Sequence, residues 1–445
     1  MGLCDCRGFA LSVYGWVCNR LAENKMIMVG VLKLFSWVYD IAEVIFAEYM
    51  IMPFLMVVLY FIIRIFKLKS PFQKRNIVSK KDTEFGIIVT AYRDTKFILP
   101  LIDSVLRQKY QNFYLYVVAD DCSEPINGID DQRIHVLTPP QELGSKVKSI
   151  DFAIASFVQA HDAIVILDDN CLLHPQFLWV INQYFQKGYK VVQSAFKPKN
   201  SESSIARMDA IGDIYNFFMQ KDMRMRLGLS STIWGSGVAV DLPLYKGVIY
   251  TDFLGGFDKK LQAYLVMHTD KIAYACNAIL YDEKVNNPHS LVNQRTRWIS
   301  SYFKYFKESF LVFINGVRKF NFNLTFFGFY LLRPPLFSVL FISVLFTLIN
   351  YFIHPVLFYI WLSLIFSFIF AFIIIVLLKS RNFKSLKVIF RLPVFIFYQV
   401  LAMLSQRKVK HSFLKTENTN AIYIEHLLGK MEGENSFTPD KIDNC

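Results

Sequence analysis

Four short groups of residues in this sequence could do chemistry. In ILDDNCLLHP an apolar run ends in Asp168, Asp169 and Asn170. Oxygen ligands of this kind suit a hard divalent cation, Mg²⁺ or Mn²⁺, which takes one or two carboxylates and leaves positions for substrate phosphates. The same three residues would also make a plain acidic turn. In VVADDCSE, Asp120 and Asp121 follow a second apolar run and could accept hydrogen bonds from a nucleobase or ribose, or simply form a turn. Asp258, after Gly255 and Gly256 in GGFDKKLQAYL, could serve as a general base or cap a helix. Gln294, Arg295, Thr296, Arg297 and Trp298 form QRTRW. Two guanidiniums fork onto diphosphate oxygens and an indole stacks on a sugar face. A basic helix on a membrane surface would account for both arginines but leaves Gln294 without a role.

These groups need a scaffold that presents them together. Between 81 and 306, short β-branched runs alternate with helical stretches, the pattern of an α/β domain with a mostly parallel sheet. Strands are expected over 85–89, 113–119, 133–137, 163–167 and 191–194, and helices over 97–107, 146–158 and 175–186. In open sheets of this class ligands bind beyond the carboxyl ends of the strands. Three of those ends carry Thr90, Ala91 and Tyr92, then Asp120 and Asp121, then Asp168, Asp169 and Asn170.

The remainder reads as membrane. Hydrophobic residues make up 54% of the 445, with 43 Phe, which is too apolar for an ordinary soluble chain. A bilayer core needs roughly 20 apolar residues of helix, and 41–66, 326–352 and 355–378 supply them. Two weaker stretches, 26–39 and 388–404, could lie in the interface, the second broken by Arg391 and Pro393. Arg64, Lys67, Lys69, Lys74 and Arg75 follow the first span, and Lys379, Arg381, Lys384 and Lys387 follow the last. Basic residues beside span ends stay in the cytoplasm, which places the polar middle inside the cell and the turn at His354 outside. The net charge of +13 clusters beside these spans, so the partner it indicates is the lipid bilayer and not nucleic acid. Cys122, Cys171, Cys276 and Cys445 are far apart without paired metal spacing, while Cys4, Cys6 and Cys18 lie near the N-terminus, where they could be lipidated or inert.

Taken in order, the groups resemble the family 2 glycosyltransferases, in particular the branch of cellulose, chitin and hyaluronan synthases and polymerising N-acetylglucosaminyltransferases. That branch shows D, DxD, ED and QxxRW, and here the order is Asp120-Asp121, Asp168-Asp169-Asn170, Phe257-Asp258 and Gln294 to Trp298, within about 41–404. IIVTAYRD is similar to the family's nucleotide-facing loop, GSKVKSIDFAI with Lys146 to its Gly-Lys helix start, WGSGVAV with Gly235, Ser236 and Gly237 to its acceptor-side loop, and YDEKV to the approach to QxxRW. Asn170 stands where the pattern has a third-place Asp, bringing one charge fewer, and Phe257 stands where it has an acid, so only Asp258 carries over.

The resemblance implies a GT-A type nucleotide-sugar-binding domain joined to transmembrane helices. A UDP-sugar donor would lie on Thr90, Ala91, Tyr92, Asp120, Asp121, Lys146, Asp168 and Asp169, with Arg295 and Arg297 on its diphosphate. Mg²⁺ or Mn²⁺ would sit on Asp168, Asp169 and Asn170. The acceptor, a growing polysaccharide or other saccharide or a lipid-linked acceptor, would meet Gly235, Ser236, Gly237, Gln294 and Trp298, and Asp258 would be the base of an inverting transfer that makes a β-linkage. The expected organisation is an N-terminal anchor over 1–80, a cytoplasmic transferase domain over 81–306, a C-terminal membrane region over 307–405 and a cytoplasmic tail over 406–445, in an integral protein of a bacterial inner membrane. Two other readings stay open: transfer of a single sugar to a membrane lipid, favoured by the small number of spans, and a scaffold whose transferase domain has lost activity.

Overall fold

The computed structural model describes residues 6–72, 75–253, 255–380, 391–405 and 421–434. Eight strands form one sheet: β1 (Phe85–Tyr92), β2 (Phe113–Asp120), β3 (Ile134–Leu137), β4 (Ala163–Asp168), β5 (Leu172–Leu173), β6 (Val191–Pro198), β7 (Val238–Asp241) and β8 (Ala273–Asp282). Their order across the sheet is β3-β2-β1-β4-β7-β6-β8-β5. Pairing is parallel from β3 through β4, antiparallel on both sides of β7, and parallel again between β6 and β8. The sheet is therefore mixed: β7 runs antiparallel to both its neighbours, and β5 pairs antiparallel with β8 at the edge. β7 is four residues long and β8 carries a bulge opposite Ser194 and Ala195, so neither makes the long apolar run that marks β1, β2 and β4 in the sequence.

Those runs are continuous because both faces are covered. Ile87, Val89, Leu115, Val117, Val165 and Leu167 pack on one face with the helices Ile98–Leu106 and Phe177–Gln186. Ile88, Tyr116, Val118, Ile164 and Ile166 pack on the other with Lys146–Ala155 and Phe257–His268. Register then sets the site. Thr90 lies opposite Asp168, and Tyr92 opposite Asp120, so three strand ends open on one edge.

The helix Pro288–Lys304, which carries QRTRW, starts at Pro288 behind an Asn287 cap whose side chain accepts from Ser290 N at 2.8 Å. Beyond it the helices Phe306–Arg318 and Phe322–Leu331 approach closely at two glycines. A Cβ on Gly316 would lie 2.3 Å from Thr325 N, and one on Gly328 2.3 Å from Phe313 N.

Among the described residues three helices are long and apolar enough to cross a membrane: Gly30–Ile65, Leu336–Ile353 and Pro355–Ser380. The first is the apolar part of one helix, Cys6–Ile65, so 26–39 is its continuation and not a separate interfacial stretch. The expected span over 326–352 is corrected. Its first residues belong to Phe322–Leu331, and the crossing helix begins at Leu336 after Arg333, Pro334 and Pro335, because consecutive prolines donate no N–H and force the preceding residue out of the helical region. Of 388–404, the helix Leu392–Leu404 is described and packs Phe395 among Met208, Ile211, Leu291 and Val376, while 388–390 lie outside the described residues.

By contacts the chain divides into Met1–Phe54 with Ser338–Ile369, and Leu55–Phe337 with Phe370–Cys445. Within the first unit, Phe346 and Trp361 stack at 5.0 Å although fifteen residues apart. A continuous helix would separate them by about 22 Å, so the chain doubles back at His354. There Asn350 Nδ2 and Trp361 Nε1 both donate to Glu43 Oε1, the latter at 2.8 Å.

Candidate active site

One edge of the site is built at the ends of β1 and β2. Arg93 and Asp121 both have positive φ, 61° and 53°, an unfavourable conformation for residues with side chains that is concentrated at functional sites. Arg93 Nε donates to Asp121 Oδ2 at 2.7 Å and Arg93 Nη2 to Glu142 Oε1 at 2.9 Å. Tyr92 Oη donates to the same Glu142 oxygen at 2.5 Å, and this bond, with burial, pushes the phenol up to about 12. Asp121 and Glu142 border a cleft of ≈280 Å³ with Cys122, Ser123, Thr138 and Gln141. Asp120 is placed differently from its neighbour. It is buried, and its two oxygens accept from Leu143 N at 2.8 Å and Gly144 N at 2.9 Å, so it fastens the loop that leads into Lys146.

Beside this edge β4 ends at Asp168. Lys146 Nζ pairs with Asp168 Oδ1 and donates to Gly235 O at 2.9 Å, which ties the start of Lys146–Ala155 to both the acidic turn and the loop before β7. That loop is pinned again where Asp168 N donates to Ser236 Oγ at 2.9 Å and Gly237 N to Ile166 O at 2.8 Å. Gly237 has φ +60°, and a Cβ there would lie 2.2 Å from Ser194 Oγ, so no other residue fits without displacing its neighbour. Burial and then the charge of Asp168 push the Asp169 carboxyl up to about 7. Two adjacent acids that resist ionising together form a set that a divalent cation would relieve, and with the amide oxygen of Asn170 the donors are all oxygen. Among the described residues no three His, Cys, Asp or Glu side chains converge on one point, so an ion at this turn would keep positions for phosphate and water. The residues fit such an ion on those terms.

Asp258 stands in the first turn of Phe257–His268, behind Gly255 and Gly256 with φ of 66° and 69°. A Cβ on Gly235 would lie 3.9 Å from Asp258 Cβ and 3.3 Å from the Phe257 ring, so the residue ahead of Asp258 packs against the loop that holds Lys146. Lys146 Nζ lies 5.0 Å from the centre of that same ring.

The QRTRW residues separate by their surroundings. Arg297 is lowered by burial and drawn back by the charge of Asp168, which places it within the field of the acidic turn. Arg295 instead pairs with buried Asp209 and lies 4.1 Å over the Trp298 ring. Trp298 is 45% exposed, so that face is covered and the indole still reaches solvent. Gln294 Oε1 is buried with no hydrogen-bond partner among the described residues.

Several participants escaped the sequence reading. Gln193 is fully buried on β6 and holds the 234–237 loop through three backbone contacts: its Oε1 accepts from Trp234 N at 2.7 Å, and its Nε2 donates to Ser236 O at 3.0 Å and Gly237 O at 3.1 Å. Asp209 and Asp213, four apart on the helix Ser204–Phe217, meet Arg295 and Lys284. Lys284 Nζ also donates to Asp282 at 2.9 Å, and although burial alone would lower this ammonium, Asp213, Asp282 and Asp209 raise it. The signal available beforehand was the i, i+4 spacing of the two acids, which puts both on one side of the helix Ser204–Phe217.

Residues 83–301 match the model of the family described as "Glycosyltransferase like family 2". The chain carries a family 2 glycosyltransferase domain. The enzyme class expected from the ordered motifs is thereby established, at the level of a glycosyltransferase with an α/β domain and apolar helices. No curated protein sequence matches this glycosyltransferase. Among solved structures it is similar to the mannosyltransferase PcManGT from Pyrobaculum calidifontis in complex with GDP-Man and Mn²⁺, at 12% identity and a TM-score of 0.45, over 81% of this chain and 98% of that one. It is also similar to S. aureus TarS 1–349, at 15% identity and a TM-score of 0.35, over 76% and 93%.

Proposed function

We propose that this glycosyltransferase belongs to the synthase-like branch of its family and moves a sugar from a UDP-sugar to a saccharide or lipid-linked acceptor at the membrane, inverting the anomeric carbon to give a β-linkage. The observation that carries the reading is the convergence of Asp168, Lys146 and Arg297 beside the loop against which Phe257 and Asp258 pack. The uridine fits the Tyr92, Asp121 and Glu142 edge, where Thr90 and Ala91 bring β1 alongside. Asp168, Asp169 and Asn170 would hold Mg²⁺ or Mn²⁺, which supplies positive charge to the diphosphate as it leaves. Lys146 and Arg297 neutralise the same group. Arg295, already paired with Asp209, instead supports Trp298 as a platform for the acceptor ring, and Gln294 Oε1 accepts from an acceptor hydroxyl.

In the reaction the acceptor oxygen forms a bond to the anomeric carbon on the face opposite the diphosphate. The bond from that carbon to phosphate oxygen breaks, UDP departs, and the acceptor proton passes to Asp258. Placed charge around the leaving group is worth several kcal/mol, and a general base contributes roughly 10² to 10⁴ in rate. The basic residues that close the first and last spans, Arg64, Lys67 and Lys379 among them, support a cytoplasmic catalytic domain in a bacterial inner membrane. Transfer of one sugar to a lipid is the second reading. It is favoured by three candidate spans among the described residues, few for one chain to enclose a polymer channel.

The test is UDP release and product mass from detergent-solubilised protein over a panel of UDP-sugars, with Mg²⁺, Mn²⁺ or chelator, alongside Asp258→Asn. Release that requires metal and Asp258 supports the reading. Absence of release from every donor with every acceptor favours the scaffold reading instead.

A further inference from the structure

Sugar transfer leaves Arg224 without a role. This residue lies in the helical turn Met223–Arg226, its side chain is fully buried, and Nε, Nη1 and Nη2 all lack a hydrogen-bond partner among the described residues. Its surroundings are aromatic: the guanidinium lies 5.4, 5.3 and 4.8 Å from the ring centres of Phe326, Phe327 and Tyr330. A guanidinium has five N–H donors and keeps its proton. Contact with aromatic faces returns only part of what burying an ion costs. The enclosure as it stands does not balance that charge.

Nearby charges make the imbalance larger. Arg333 lies 5.4 Å from the same Tyr330 ring; burial lowers Arg224, the Tyr330 phenol partly offsets this, and the charge of Arg333 adds to the lowering. The acid next along the chain, Asp222, is occupied by Arg226 Nε at 2.9 Å and Lys379 Nζ at 2.6 Å. Lys221, also buried, donates to Thr232 O at 3.2 Å between the Trp234 and Phe217 rings. The group is thus rich in cations and short of anions.

Its position indicates which anion. Arg333 precedes Pro334, Pro335 and the apolar helix Leu336–Ile353. Tyr215 packs on Phe372 at 5.4 Å in Pro355–Ser380, and Arg226 and Lys379 lie over Tyr60 near the end of Gly30–Ile65. The cations therefore sit beside the ends of candidate spans, where a lipid chain would run along apolar surface while its headgroup turns inward. We propose that Arg224 and Arg333 bind the phosphate group of a membrane lipid, admitted past half-buried Arg333. The phosphate could belong to a lipid acceptor, which would deepen the proposed function, or to a bilayer phospholipid, which is independent of it.

The experiment is a lipid titration followed by native mass spectrometry on the full-length protein in detergent, without sugar donor. One arm uses farnesyl phosphate and the other dioleoylphosphatidylglycerol. The wild type is expected to retain one of them, and Arg224→Met to weaken that binding about tenfold or more, the value of a lost charge-assisted hydrogen bond. Preference for farnesyl phosphate supports an acceptor-type lipid phosphate, and preference for the phosphatidylglycerol supports a bilayer lipid. Arg333→Gln provides a second variant should Arg224→Met fail to fold. Binding of neither lipid by the wild type, or binding by both variants as tight as the wild type's, overturns the proposal. Because no donor is present, failure of the sugar-transfer reading would appear separately, as absent UDP release from protein that still holds lipid.

Discussion

Replacing Gln193 tests whether the loop around Gly235, Ser236 and Gly237 is held from behind. In Gln193→Leu the side chain keeps its approximate size but loses both polar ends. Gly237 O retains its bond from Ser194 N at 2.9 Å. Trp234 N and Ser236 O lose the Gln193 contacts that satisfy them. A buried polar group left unmade costs about 1–3 kcal/mol, so the substitution should destabilise the domain by about 2–6 kcal/mol. For a domain of this size that corresponds to a fall of about 4–24 °C in melting temperature. The catalytic consequence should be larger than the fold loss alone, because the same loop receives Lys146 Nζ at Gly235 and fixes the backbone of Asp168 through Ser236. Nucleotide-sugar turnover measured well below the melting temperature should therefore fall in Gln193→Leu, with Gln193→Glu intermediate because it preserves the acceptor for Trp234 N. A Gln193→Leu protein that melts within about 1 °C of wild type, against the several degrees expected from two stranded groups, and that turns over normally would refute the reasoning.

Other variants separate the roles assigned to the site. Asp258→Asn should lose roughly 10² to 10⁴ in turnover while donor affinity by calorimetry stays within a few fold; Asp168→Ala should lose donor binding as well as turnover. Arg297→Met should weaken UDP binding by tenfold or more, as expected for a charge-assisted contact worth about 1.5–3 kcal/mol, whereas Arg295→Met should instead destabilise the fold by about 3–5 kcal/mol, since it strands buried Asp209; equal effects of the two on UDP affinity would contradict the separation. His161 offers a pH test: it is buried, accepts or donates to Tyr116 Oη at 2.9 Å, and burial pushes it down to about 4. Its unfolded form binds a proton near 6.5, so stability from keeping it neutral is complete above that pH and is lost as pH falls towards 4, by about 3 kcal/mol in all. Denaturant melts of wild type and His161→Gln between pH 7 and 4 should show a slope in the first that is reduced in the second.

The sequence by itself determined the features that depend on neighbours along the chain. Continuous apolar runs marked β1, β2 and β4, because a strand covered on both faces has no polar side to alternate with. Acids at once after such runs marked Asp120, Asp121 and Asp168 to Asn170 as strand-end groups, and long apolar stretches with basic flanks marked the spans. The short β7 and the bulged β8 gave no such pattern. The apolar stretch over 326–352 looked continuous because hydropathy averages over Pro334 and Pro335, while the backbone breaks there.

Only the tertiary structure decided how those groups divide the work. Arg295 and Arg297 are two residues apart, and on a helix that separates their directions by about 200°, so one pairs with Asp209 and the other lies within the field of Asp168. Asp120 and Asp121 are adjacent, yet one is spent on backbone amides 23 and 24 residues away and the other faces the cleft. Gln193, Asp209 and Arg224 matter through partners far along the chain or through the lack of them. Residue type and spacing state which chemistry a group could perform, but burial and pairing across the fold decide which of its atoms are still available to perform it.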